Sequence, residues 1–452
     1  MKILRTICSV FLVTVFLPVA SGLSLERGRS LEGRPSEFHA SNFGRAEYPN
    51  TSPHDMSASP KKRSGTTQIA ERLTQHSEAG SKDSTASGRS SVENGKQSQT
   101  ERIWRSQELG ILAIGVGVGD VVGDGTNQIV LIDPNTIYLY RFSPEKLELL
   151  AQYSARPLEL KSVDVAKLRK QGPARIYVTA QNRGAVDSLV LEYRDRKLTP
   201  VVQDFPYYLR VIQYPTQGPI LLGQKKGLNR LYDGPVYRLT DKGDDLEVQG
   251  RFGVPLKIPV FGFTIGDFIG KHKPLIAVYD RDDHLRLYEP SGKRLFLSKD
   301  YYGGSDIIVR TGGPEEHAER EPIIQPERTY FRPRIITLDL GWGSAHQILV
   351  TAHSSKTMRL LGRTRMFEEG QVVGLVWNGD AIEEKWTTPK VQGMITDFAI
   401  GTLPGLAGKR LITLEREKTD WLAFLRSRSR VRAYDLNSLL NEGKRRKSDE
   451  EN

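Results

Sequence analysis

From residue 101 onward, apolar and polar positions alternate in short blocks. Runs of four to eight residues rich in Val, Ile, Leu and Tyr are bounded by Gly, Pro, Asp and Asn. Residues 128–132, 136–142, 175–180, 188–193, 218–222, 236–239, 285–288, 334–339, 347–352, 371–377 and 410–414 all read this way. Runs of that length with that punctuation predict strands joined by turns. Nowhere is a helical period of useful length expected. Residues 24–100 have the opposite texture, rich in Ser, Gly, Arg, Lys, Glu and Gln and poor in aliphatics. Such a segment buries too little apolar area to offset its ordering entropy, so it is expected to be a disordered tether.

The strand pattern repeats. One copy runs from Ile114 through the glycines Gly115, Gly117 and Gly119 to Asp120-Val121-Val122-Gly123-Asp124-Gly125, then the strand Gln128–Ile132. A second runs from Phe261-Gly262-Phe263-Thr264-Ile265-Gly266-Asp267 to Gly270, then Pro274 to Tyr279. Anchoring equivalent turns at Asp120, Lys167, Gln213, Asp267, Asp339 and Thr402 gives spacings of 47, 46, 54, 72 and 63 residues. Four-stranded propeller blades take roughly 40–50 residues. The first three spacings fit, and the last two need insertions, which residues 306–330 and 354–370 supply. The expected fold is all-β: a six-bladed β-propeller over residues 101–437, with five or seven blades as alternatives. The last copy offers only three clear strands. A strand at residues 102–109 should complete it and join the two ends of the ring.

The repeated Gly-Asp-x-x-Gly-Asp-Gly pattern, followed by Ile-Val, resembles the FG-GAP/VCBS repeat family. That family includes exported bacterial VCBS-repeat proteins and, more distantly, the integrin α-subunit propellers. The phrase at residues 261–267 and its echo at 395–401 are similar to the bacterial members. The resemblance covers residues 102–436 and implies a propeller, calcium in Asp-rich loops, and a role in binding or adhesion. In the first loop Asp120 and Asp124 are the calcium candidates, since calcium takes several oxygens around a curled loop. Val122 and Gln128 stand where further acidic ligands would be expected. The same residues also suit a turn in which Asp caps backbone amides. Other copies depart further, with Lys167 and Thr402 in place of the leading Asp. No cofactor is required by this reading, with calcium confined to one degenerate loop.

The N-terminus adds an address. Lys2 and Arg5 precede an apolar run at residues 7–19, and Ala20, Ser21 and Gly22 follow. This is the form of a cleavable signal peptide over residues 1–22, too short for the ~20 residues of a membrane span. No other segment is long and apolar enough to cross. The single cysteine, Cys8, lies within that run, so the exported chain is expected to contain no disulfide. The chain of 452 residues carries a formal charge of +11, which favours anionic surfaces as partners. Export makes nucleic acid the weakest of them.

Chemistry-bearing residues are sparse. There is no Gly-x-Ser-x-Gly elbow, and the glycines at 115–125 lead into a strand rather than the helix a dinucleotide fingerprint needs. His346 and His353 flank one strand at an odd separation, which puts them on opposite faces. Asp280, Asp282 and Asp283 read as an acidic hairpin turn. Tyr207, Tyr208, Tyr301 and Tyr302 are expected to pack between blades. More distinctive is the row Arg426, Arg428, Arg430 and Arg432, which lines one face if extended. It suits an anion or a partner, or else a charged edge that deters aggregation. Residues 438–452 read as a charged tail. Together these features predict an exported, monomeric, non-catalytic propeller that binds or scaffolds at the cell envelope, in the periplasm or outside. Its partner would be an envelope protein or an anionic envelope polymer. The alternative is a propeller hydrolase or lyase with carboxylates gathered at the central channel.

Overall fold

The computed structural model describes residues 103–227, 231–309, 329–341, 344–354, 365, 367–417 and 428–450, with side chains to residue 443. The signal-peptide and tether segments lie outside these residues, as do residues 310–328 of the 306–330 insertion and residues 355–364 of the 354–370 hairpin. So do Arg426, Arg359 and Arg363. Among the described residues, no helix is long and apolar enough to cross a membrane.

Nearly all regular structure is antiparallel strand, paired in sequence order. Gly115–Gly119, Gln128–Ile132, Thr136–Phe142 and Leu147–Ser154 form the first four-stranded sheet. The second is built on Glu159–Ala166, Arg175–Asn182, Ser188–Arg194 and Lys197–Phe205, with the short Ala185–Val186 added. Tyr208–Tyr214 opens the third, which ends at Leu246–Arg251, and Phe263–Gly266 opens the fourth, which ends at Arg294–Tyr301. Eight of the remaining strands join in one sheet made of two groups. One group runs from Ile336–Leu338 through Gln347–Ser354 and Glu369–Trp377 to Ile382–Thr387; the other contains Val391–Gly401, Arg410–Glu417 and Ser429–Asp435. They meet where Glu369 and Gly370 pair with Gln392 and Val391.

The strand Ile103–Arg105 completes the last group. It pairs antiparallel with Ser429–Asp435, Ile103 opposite Tyr434 and Arg105 opposite Arg432. An isolated bridge between Leu109 and Ser429 extends the contact. This is the pairing expected for residues 102–109, over a shorter strand. The insertion at 306–330 starts and ends on a small ladder, Ile308–Val309 against Thr329–Tyr330.

Burial explains why the strands differ in composition. Gln128–Ile132 and Leu275–Tyr279 are buried at every residue. They lie inside a sheet covered on both faces, and so read as continuous apolar runs. The outermost strand Leu246–Arg251 is exposed after its first residue and is correspondingly polar. Each sheet packs on the next. Ile137 and Leu139 meet Val163 and Ile176, and Tyr177 and Val190 meet Leu221 and Leu239. Ile220 and Leu222 meet Ile276 and Val278, and Leu285 and Leu287 meet Val350 and Leu375. Leu349 and Val372 meet Phe398 and Leu411. Finally, Ile129 and Leu131 of the first sheet share a core with Ile412, Leu414 and Val431 of the last.

No helix of useful length was expected from the sequence, yet Leu436–Glu450 is an α-helix. Leu436 and Leu439 are buried, with Leu440 packed beside them against the last two strand groups. The helix comes so close to Ile382–Thr387 that a Cβ on Gly443 would overlap the Lys385 carbonyl. Its apolar positions follow the i, i+3, i+4 rule over too few turns to stand out beside the basic run that follows.

Candidate functional site

The first strands of the sheets converge, and ionisable side chains meet between them. Arg334 stands just before Ile336–Leu338. Its Nε donates to Asp397 Oδ1 at 2.8 Å and its Nη2 to Asp397 Oδ2 at 2.9 Å, a bidentate pair. Its Nη1 donates to Asp164 Oδ1 at 2.5 Å, and Nη2 also reaches the Val163 carbonyl at 2.8 Å. Arg210 Nη1 donates to the same Asp164 oxygen at 2.8 Å. Backbone amides saturate the carboxylates: Val116 N and Phe398 N donate to Asp397, and Val211 N donates to Asp164. One side chain thus ties together strands from the first, second and last sheets, with Arg210 adding the third.

Burial shapes these charges. All four side chains are at most 10% exposed. Burial opposes the Arg334 charge, but Asp397 and then Asp164 outweigh it, so its proton is held more tightly than usual. Arg210 goes the other way, pushed down to about 10 by burial and then by the neighbouring Arg334. Close approach here needs small residues. A Cβ on Gly117 would lie 2.6 Å from a Val165 methyl.

Two hollows flank the Arg334 cluster. One has a volume of about 120 Å³ and is lined by Gly117, Gln213, Thr264, Thr337 and Ile400. The other, on the opposite side, is bordered by Lys161, Ser162, Phe261, Ser305, Phe331 and Arg332. Sequence reading missed the cluster. Its only local trace is a lone charge within an apolar strand: Asp164 between Val163 and Val165, Arg210 between Leu209 and Val211, Asp397 before Phe398.

The sequence candidates lie elsewhere and are separate from one another. Asp120 uses both carboxylate oxygens on backbone amides, those of Gly123 and Asp124 on Oδ1 and of Gly125 on Oδ2. Asp124 accepts from the Thr126 amide at 2.9 Å and its hydroxyl at 2.6 Å, and its carboxyl sits below the usual range chiefly because of the hydroxyl bond. The geometry is that of a capped turn. Among the described residues, no group of three or more His, Cys, Asp or Glu side chains is placed to hold a metal.

The described members of the arginine row each face carboxylates. Arg428 pairs with Glu108 at 3.0 Å, Arg430 with Glu417 at 2.9 Å, and Arg432 with Glu415 at 2.9 Å. Arg430 also reaches Glu108 at 3.3 Å. These pairs include a carboxylate from the N-terminal segment, so the row forms a ladder of alternating charge across the junction of chain ends. His353 is partly buried. Its Nδ1 lies 2.6 Å from the Gly303 carbonyl, and its Nε2 accepts from Ile395 N at 3.2 Å. Asp280 is bound by Arg286 and Asp283 by Arg365. Tyr208 and Tyr302 are buried, as expected, while Tyr301 is half exposed.

No family model and no curated protein matches the sequence. Among the solved structures that resemble the fold at low similarity are the following three. BBS1N in its crystal structure with ARL6DN shares 13% identity over 74% of this chain and 98% of its own, with a TM-score of 0.39. Sqt1 from Saccharomyces cerevisiae gives 11%, 67%, 93% and 0.32 in the same order. The Dos1 propeller gives 12%, 72%, 68% and 0.32.

Proposed function

We propose that the strand groups are the blades of a six-bladed β-propeller, and that it is a non-catalytic protein-binding or scaffolding module. The packing supports the architecture: each sheet shares a core with the next, and the first shares one with the last. The charge cluster around Arg334 then lies on the axis of the ring. There it acts as a pin between blades.

The observation that carries the non-catalytic reading is the saturation of that cluster. Carboxylates and arginines do converge at the centre, as the hydrolase or lyase alternative requires. Yet Asp164 and Asp397 are each engaged by guanidinium and backbone donors. A general acid or base needs a proton it can exchange with substrate, within hydrogen-bond reach. A carboxylate committed on both oxygens has little capacity for that. Rigid propellers with variable loops recognise partners on their faces. In this reading the chain is exported by its N-terminal signal, held on the 23–100 tether, and presents those faces to an envelope protein or anionic polymer.

Affinity capture from bacterial envelope extract tests this. The wild type should retain a reproducible set of proteins, altered when Arg426, Arg428, Arg430 and Arg432 are all changed to Gln. Turnover of isolated envelope polymer by the wild type, lost in Asp397→Asn of intact fold, would overturn the non-catalytic reading.

A further inference from the structure

The hollow between Lys161 and Arg332 is rich in donors and poor in acceptors. Its walls carry four cationic side chains, Lys161, Arg210, Arg332 and Arg334, against one carboxylate, Asp397. That carboxylate is already held by Arg334 at 2.8 and 2.9 Å. Lys161 is taken up by Glu159 and the Ile308 carbonyl, each at 3.0 Å.

The other donors are not taken up by described residues. Arg210 is only 4% exposed, yet of its five N–H groups just one makes a hydrogen bond to a described residue, the bond to Asp164. Arg332 makes no hydrogen bond or ion pair with a described residue. Its nearest opposite charges, Asp280 and Asp283, are committed to Arg286 and Arg365. Ser162, 7% exposed, has no hydroxyl partner among the described residues. Ser305 Oγ accepts from Ile307 N at 3.0 Å, which leaves its own proton to donate. The chain also spends conformational freedom on the arrangement. Gly262 adopts φ +70°, and a Cβ there would lie 2.7 Å from Arg332 Cβ.

These donors line the hollow without an acceptor among the described residues, and an anion seated there would supply one. We infer that this hollow is an anion-binding site, and that its ligand is a single carboxylate seated between Arg332, Arg210 and the two serine hydroxyls. The space beyond the side chains is about 20 Å³, room for one small group. A planar carboxylate head asks less of that space than a tetrahedral phosphate or sulfate. The apolar rim of Phe261, Phe331 and Pro333 suits the carbon to which a carboxylate is attached. The inference stands apart from the binding role proposed above, since it concerns the anion alone.

The probe is ¹³C-labelled formate, the smallest carboxylate, observed by NMR with the full chain at constant ionic strength. Saturable broadening of the formate line is expected with the wild type. Arg332→Gln should weaken apparent binding at least tenfold, because it removes the ion pair to the anion and breaks no bond to a described residue. Ser162→Ala should weaken it severalfold, and it carries the test should Arg332→Gln fail to fold by circular dichroism. Inorganic phosphate at equal concentration should not compete. The absence of saturable broadening with the wild type would overturn the proposal. So would broadening that survives both substitutions, or displacement by phosphate as effective as by unlabelled formate.

Discussion

Asp120 and Asp267, which open turns in the first and fourth sheets, hold those turns with the same set of bonds. Each accepts on Oδ1 from the amides three and four residues on, and on Oδ2 from the amide five residues on. Each also offers its backbone carbonyl to an amide of the following sheet, Ala174 N at 2.8 Å and His346 N at 2.9 Å. The shared device is therefore an aspartate that closes a turn and joins neighbouring sheets through backbone hydrogen bonds. Adding a chelator to the full chain is expected to leave its melting temperature unchanged. Asp120→Ala and Asp267→Ala should each destabilise by about 1–2 kcal/mol, as for lost caps, equally with and without chelator. A chelator-dependent loss confined to Asp120→Ala or Asp124→Ala would mean that calcium occupies the first loop.

The same equivalence exposes a strained position. The third and fifth residues after the aspartate have positive φ in both turns: Gly123 at 85° and Gly125 at 83°, Gly270 at 73° and His272 at 56°. His272 thus stands where the first copy has glycine. Left-handed backbone costs a side-chain-bearing residue about 1–2 kcal/mol, and glycine's extra freedom in the unfolded chain returns about 0.4–1 kcal/mol of that. His272→Gly should stabilise by about 0.5 kcal/mol in denaturant titration. A loss of stability would mean that the His272 ring contributes more than its backbone costs.

Removing Arg334 should be among the most damaging single changes. Its side chain is bonded to residues 63 and 170 positions away. Arg334→Ala leaves Asp164 and Asp397 buried with fewer donors, and breaking a buried pair in this way costs about 3–5 kcal/mol. Arg334→Ala combined with Asp397→Asn should recover part of that loss, since one uncompensated charge is gone. Additive losses in the double-mutant cycle would show that the two residues are not energetically coupled.

Those sequence separations explain what the sequence leaves hidden. Fully buried strands such as Leu275–Tyr279 announce themselves as continuous runs of apolar and aromatic residues, and the pitch of the turns follows from aspartates and glycines close together in the chain. The junction of the ends was also legible, since Val391–Gly401, Arg410–Glu417 and Ser429–Asp435 lack a fourth partner nearby. Arg334 has no such local signature. It follows Arg332 and Pro333 and reads only as the polar first residue of the 334–339 strand run. The arginine row was visible as alternation, but its partners Glu108, Glu415 and Glu417 belong to other strands or the far end of the chain.

His353 gives the fold a pH dependence of definite sign. Burial, the largest influence, holds its imidazole below the ordinary value of 6.5 despite the bonds to Gly303 and Ile395. The folded chain therefore favours the neutral ring, with Nε2 accepting from Ile395 N. The unfolded chain takes up its proton as the pH drops through 6.5. Stability should be independent of this group above that point, and should fall as the pH decreases from there toward the lower, folded value. His353→Asn should flatten that part of the pH profile. An unchanged slope would assign the effect to another group.

The junction of the chain ends rests on Ser429 more than on the short strand beside it. Ser429 Oγ donates to the Ile111 carbonyl at 2.9 Å and accepts from Ala113 N at 3.0 Å, while its backbone exchanges bonds with Leu109. All these partners lie more than 300 residues away along the chain and are mostly buried. Ser429→Ala removes a donor and an acceptor together and strands the Ala113 amide, at an expected cost of about 2–3 kcal/mol. Because the lost bonds join the two ends, the first consequence should be local opening. Hydrogen exchange should quicken in Ile103–Arg105 and Ser429–Asp435 before it changes in Arg175–Asn182, on the far side of the first sheet. Deleting residues 103–109 should have the same pattern with larger amplitude, and should favour self-association by baring the edge of Ser429–Asp435. Uniform acceleration across all sheets would mean that the ends are not a separate opening unit and that the fold yields as a whole.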